Sequence, residues 1–98
     1  MNIQAMMKQA QAIQKDMMKA KEEIDSKTYE ATSSFVTVKV KGDKKVESII
    51  INQKELNEDD IEMLQDLIVV AINDAMKQID KETEQKLGKY TQGMPGLF

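Results

Sequence analysis

Every basic residue of this chain is a lysine: there are fourteen, with no arginine, histidine or cysteine. A lysine ammonium is a mobile point charge suited to phosphate or carboxylate, whereas the planar fork that reads guanine edges belongs to arginine. Without histidine or cysteine the chain lacks the usual proton carrier near neutral pH, a thiolate nucleophile and the commonest transition-metal ligands. Its glycines, Gly42, Gly88, Gly93 and Gly96, form neither a GxxxxGK nor a GxGxxG phosphate cradle. No catalytic residue, metal site, cofactor or small-molecule substrate is expected, and the chain does not read as an enzyme.

The formal net charge of -3 speaks mildly against a polyanion partner, but the charges are segregated. Residues 1–21 hold four lysines and one aspartate, and residues 39–45 again hold four lysines and one aspartate. Residues 55–66 hold six acids and no lysine. In the first segment, apolar residues recur at Ile3, Met6, Ala10, Ile13, Met17, Ala20 and Ile24, in alternating steps of three and four. That spacing makes an amphipathic helix, in which Lys8, Lys15 and Lys19 fall opposite the apolar seam. Their separations, about 10 Å and 6 Å along the axis, allow phosphates of a duplex to be met without base contacts. A solvated helix face has the same look, so the stripe alone does not decide. Lys39, Lys41, Lys44 and Lys45 form the second cluster, and lysines on an exposed strand also guard against edge-to-edge aggregation. Lys81, Lys86 and Lys89 are further candidates. If the partner is DNA, the absence of arginine predicts little sequence readout; Gln4, Gln9, Gln11 and Gln14 could pair adenine edges, but helix propensity explains them as well.

These residues need elements to position them. A first helix is expected from about Ile3 to Ile24, ended by DSKT. The texture then becomes β-branched with a period of two. Val36, Val38 and Val40 share one face and Thr37, Lys39 and Lys41 the other. GDKK is a tight connection to a partner strand over 46–52, and 28–34 is a weaker candidate edge strand, which gives an antiparallel meander. NEDDIE opens a second helix, with Asn57 as cap and Glu58, Asp59 and Asp60 against the positive end of the helix dipole. Capping accounts for these acids, and for Asp66 beyond them, better than a divalent metal does. The apolar face of Ile61, Leu64, Leu67, Ile68, Ala71, Ile72, Ala75, Met76 and Ile79 continues to Leu87, before Gly88.

Helices this long overrun the strands of a small sheet, so they should project beyond it and pack on each other. Ala10 and Ala20 would admit the second helix closely, with Met6 and Met17 filling the gaps; Met7 and Met18 lie off the seam. Few aromatics and long helices suggest a core completed by a second copy, hence a homodimer. No apolar run approaches the 18 to 20 residues of a membrane span, and the first helix lacks the Trp, Phe and Leu of an interfacial anchor. The chain reads as intracellular, with no membrane partner.

MLQDLIVVAINDAMKQID, continuing through KETEQKLGKYTQGMPGLF, resembles the signature of the YbaB/EbfC family of bacterial nucleoid-associated proteins. MMKQAQAIQKDMMKAKEEI is similar to that family's first helix, and VTVKVKGDKKVESIIIN to its central hairpin. Where the family has a glycine-rich entry to the sheet, this chain has Ser33, Ser34 and Phe35. The resemblance implies an α+β fold of long helix, three-stranded antiparallel sheet and long helix (αβββα), with two subunits joined through the sheets and helical arms projecting like tweezers. Residues 1–98 would form one such domain, with a helical arm at 1–26, the meander at 28–52, the second helix at 57–88 and an irregular tail at 89–98. The implied function is a cytoplasmic, nucleoid-associated protein that binds duplex DNA with little sequence preference and affects nucleoid organisation and gene expression. The residues taken alone leave a second reading open, a dimeric protein-interaction module with no role on DNA.

Overall fold

A computed structural model describes residues 2–91. Their order is α1 (Ile3–Ser26), β1 (Thr28–Ser33), β2 (Val36–Lys41), β3 (Val46–Ile51) and α2 (Glu58–Thr91). The three strands make one antiparallel sheet in the order β1-β2-β3, so the weak stretch after the first helix is an edge strand, and β2 is central.

The two-residue period of β2 does what it predicts. Val36, Val38 and Val40 are fully buried, and their cross-strand partners on β1 include the buried Tyr29 and Ala31. Against this face lie Ala71, Ala75 and Ile79 of α2, with Phe35, Leu64, Leu67, Ile68, Ile72 and Met76 around them. Two alanines one turn apart let the helix axis come close to the strands, so a small sheet is covered by a single helix. The opposite face carries Lys39 and Lys41 and, on β1, Thr28, Glu30 and Thr32.

At 34 residues α2 is about 51 Å long, far more than a six-residue strand spans. The molecule is accordingly slender, 71 × 21 × 15 Å. Glu58, Asp59 and Asp60 occupy the first turn of α2, and Asp60 accepts the backbone N–H of Asn57, the expected cap residue, at 2.9 Å. Gly88 does not end α2, which continues to Thr91; Leu87 is buried beside it, and that packing outweighs the roughly 1 kcal/mol helix cost of one glycine. The remainder of the expected tail, 92–98, lies outside the described residues.

α1 meets α2 only near its C-terminal end. Ile24 is buried, and with Ile79 and Leu87 lines a hollow closed by the β2–β3 turn. Met17 and Ala20 are half-buried. Ile3, Met6, Ala10 and Ile13 are exposed, so within one chain α2 does not cover the first half of the seam, and Met6 fills no gap there. The periodicity identified which face is apolar but not how far its partner reaches.

Turn backbones carry the irregular geometry. Ser34, between β1 and β2, has φ 52°, and Lys44, between β2 and β3, has φ 70°. Both are left-handed conformations for which glycine is the ordinary solution, and Ser34 falls where the resembling family is glycine-rich.

Candidate nucleic-acid interface

α1 begins with Asn2, whose side-chain oxygen accepts from the Ala5 N–H at 3.3 Å, and its first turn carries no acid. From there the helix leaves the body of the protein as an arm. Lys8, Lys15 and Lys19 are all exposed on the side away from the seam. Among the described residues no carboxylate lies within ion-pairing distance of any of the three. Asp16, the one acid in the first 21 residues, adds a single negative charge to the arm. Below it the charges close up: Lys21 pairs with Asp25 at 3.2 Å.

The hairpin lysines sit differently. Lys39 is half-buried and stands between Glu30 of β1 and Ser48 of β3 in the register. Lys41 pairs with Thr28, whose hydroxyl donates to Glu47 at 3.3 Å. Lys44 reaches Asp80 of α2 at 3.0 Å. Lys45 is exposed, next to an Asp43 carboxylate that accepts its backbone N–H at 3.0 Å. A cluster that holds a single aspartate along the chain is thus interleaved with acids from three other elements.

Near the end of α2, Lys86 lies 3.4 Å from Glu82, which also takes Lys27 at 3.0 Å. The Tyr29 hydroxyl donates to the same carboxylate. These donors hold the Glu82 carboxyl below its usual value, the Tyr29 hydrogen bond contributing most and Lys27 next. Burial, then Glu82 itself, raises the Tyr29 hydroxyl. Lys89 lies over the Tyr90 ring, 5.0 Å from its centre, and Lys81 is exposed with no ion pair among the described residues. Lys27, Tyr29 and Glu82 did not stand out in the sequence, since 53 to 55 residues separate the partners. Lys27 is the C-cap of α1, so this cluster ties the root of the arm to α2. Of the candidates, then, the structure groups Lys8, Lys15 and Lys19 on one face, places Lys41, Lys44 and Lys45 around one hairpin, and engages Lys44 and Lys86 with acids. Those described residues hold no group of three or more acids placed to bind a metal, and none of their helices is long and apolar enough to cross a membrane.

Fold and arm together define a small α+β protein that presents to its surroundings a long helix whose residues 3–21 carry four lysines and one aspartate. The chain belongs to the YbaB/EbfC DNA-binding family, whose model matches residues 1–94. That family is one of DNA-binding proteins and not of enzymes, in line with the chemistry missing from the sequence. A nucleoid-associated protein of Enterococcus faecalis is 48% identical over 98 residues, covering 98% of this chain and 94% of the relative. One from Lactococcus lactis subsp. cremoris is 48% identical over 97 residues, covering 97% and 98%. The crystal structure of an uncharacterised protein from Helicobacter pylori has the same fold, with a TM-score of 0.70 at 17% identity, over 92% of this chain and 97% of that one.

Proposed function

We propose that the protein is a nucleoid-associated protein of the bacterial cytoplasm that binds duplex DNA as a homodimer. Binding has little sequence specificity and runs through lysine–phosphate contacts, and by coating or bridging DNA it affects nucleoid organisation and gene expression. The observation that carries this reading is the state of the arm lysines. Lys8, Lys15 and Lys19 share an exposed face without a carboxylate partner, so a phosphate can take them without first displacing an acid. Lys81, Lys89 and the hairpin lysines Lys39, Lys41 and Lys45 are secondary contacts, and Lys44 and Lys86 must exchange an acid for a phosphate. The relatives from Enterococcus and Lactococcus, named nucleoid-associated, support the same reading.

The dimer is supported by β3. Val46, Ile49, Ile50 and Ile51 leave apolar surface exposed on both faces of an edge strand that α2 does not cover. Such an edge pairs or aggregates unless another surface occupies it. Ile61, Met63, Val69 and Val70 add exposed apolar surface on the first half of α2, and a second copy joined through the sheets buries both.

Fluorescence anisotropy of a labelled random-sequence duplex over a salt series tests the reading. A Kd of about 10⁻⁴ to 10⁻⁶ M near physiological salt, weakening steeply as salt rises, is expected. No binding at tens of micromolar protein in about 50 mM salt would instead favour a protein partner, for which the uncovered seam of Ile3, Met6 and Ile13 is the available surface.

A further inference from the structure

α1 carries a second stripe besides its seam. Gln4, Met7, Gln11, Gln14 and Met18 follow one another in steps of three, four, three and four, so they occupy one side of the helix. All five are exposed, Met7 at 57% and Met18 at 63%. Gln11, Gln14 and Met18 line one open hollow together with lysines and, toward the root of the arm, Glu22 and Asp25. The stripe holds no charge over this length, and Asp16 lies on the far side of the helix, about 160° round from its centre. Lys8 and Lys15 form the adjoining row. Lys21 and Asp25 continue the stripe toward the root of the arm and close it off with their ion pair.

Solubility would be met by glutamate and lysine at these positions, and within one chain Met7 and Met18 stay more than half exposed. The combination has a specific chemical match. A glutamine amide can bond both N6 and N7 of adenine in the major groove, and an apolar side chain can meet the thymine methyl, while neither group matches a G·C pair as well. The major groove is wide enough for an α-helix, and Gln4 to Met18 spans about 21 Å, on the order of five base pairs.

We propose that the Gln4–Met7–Gln11–Gln14–Met18 stripe faces the floor of the major groove while Lys8 and Lys15 hold one phosphate wall, giving the protein a preference for A·T-rich duplex DNA. The inference rests on the DNA-binding reading above and adds to it a modest compositional selectivity. It makes Gln11, Gln14 and Met18 selectivity residues and the lysines affinity residues.

The test compares two duplexes of equal length and charge, one A·T-rich and one G·C-rich, by anisotropy with the full chain and with the variant Gln11→Ala/Gln14→Ala/Met18→Ala. Alanine is the best helix former and all three sites are exposed, so the arm is retained, which circular dichroism checks. The wild type should bind the A·T-rich duplex about fivefold tighter or more, the weakest discrimination one bidentate contact gives. The variant should bring that ratio to about one with its salt slope unchanged. In spectra of ¹³C-methyl methionine, the Met18 signal, assigned by its loss in Met18→Ala, should shift with the A·T-rich duplex and less with the other. Equal wild-type affinity for the two duplexes, or a ratio that survives in the variant, overturns the stripe and leaves the lysine contacts standing. Failure to bind either duplex at low salt overturns the DNA reading itself, and this inference with it.

Discussion

A Cβ atom built on Gly42 would lie 1.7 Å from the backbone oxygen of Ile24. The β2–β3 turn is therefore wedged against the root of α1, backbone to backbone, and the Gly42 N–H donates to the Lys27 oxygen at 3.0 Å just beyond. Only glycine admits this approach, which sets where the arm leaves the sheet.

Replacing Gly42 by alanine should therefore cost at least about 2 kcal/mol, at the upper side of what overpacking usually costs, because the atoms in the way are backbone and cannot swing aside. Chemical denaturation measures this. A loss below about 0.5 kcal/mol, the range of ordinary surface substitutions, would show that the wedge does not fix the arm.

Glu82 predicts a pH dependence. Its carboxyl is lowered from 4.5, chiefly by the Tyr29 hydrogen bond and then by Lys27, so its stabilisation is complete above that value and is lost as pH falls through the lower folded-state value. Tyr29 has the opposite sign: its hydroxyl is raised from 10.0, so stability holds below pH 10.0 and declines above it. Thermal melts should show a plateau between these limits. Glu82→Gln should flatten the acid limb, and Tyr29→Phe should cost about 1.5 to 3 kcal/mol at neutral pH, the value of a hydrogen bond to a charged group. An unchanged acid limb in Glu82→Gln would assign the acid loss to other carboxylates.

The exposed isoleucines of β3 predict assembly. A lysine at Ile49, on the α2 side of the sheet, or at Ile50, on the opposite side, should convert a dimer to a monomer, seen as a halved mass in sedimentation equilibrium. A wild-type mass of one chain, or a dimer that tolerates both substitutions, would contradict the interface proposed at β3.

Much of the fold was legible because the apolar period changes along the chain. Steps of three and four up to Ile24 give way to the two-residue alternation of Val36, Val38 and Val40, and helical steps return at Ile61. Capping by the NEDDIE acids was legible for the same local reason. Long-range pairing was not. Nothing near Lys44 in the chain shows that Asp80 waits for it, and although Glu82 stands four residues before Lys86 on one helix, nothing local shows that Lys27 and Tyr29 share that carboxylate. The two basic clusters carry the same local charge in the sequence, and only the fold shows that Lys8, Lys15 and Lys19 have no ion pair among the described residues while the hairpin is laced with acids. Gly88 misled because one glycine costs a helix only about 1 kcal/mol, and α2 runs through it to Thr91 from the buried Leu87.

The central claim is that the arm lysines meet phosphates, and the salt dependence of binding by Lys8→Gln/Lys15→Gln/Lys19→Gln tests it most directly. Each phosphate neutralised contributes about 0.9 to the slope of log K against log salt, so losing three contacts should flatten it by up to about 2.7 per arm engaged. The matched variant Lys39→Gln/Lys41→Gln/Lys45→Gln should flatten it less. A slope unchanged by the arm substitutions, with the hairpin substitutions abolishing binding, would contradict the account and move the interface to the sheet.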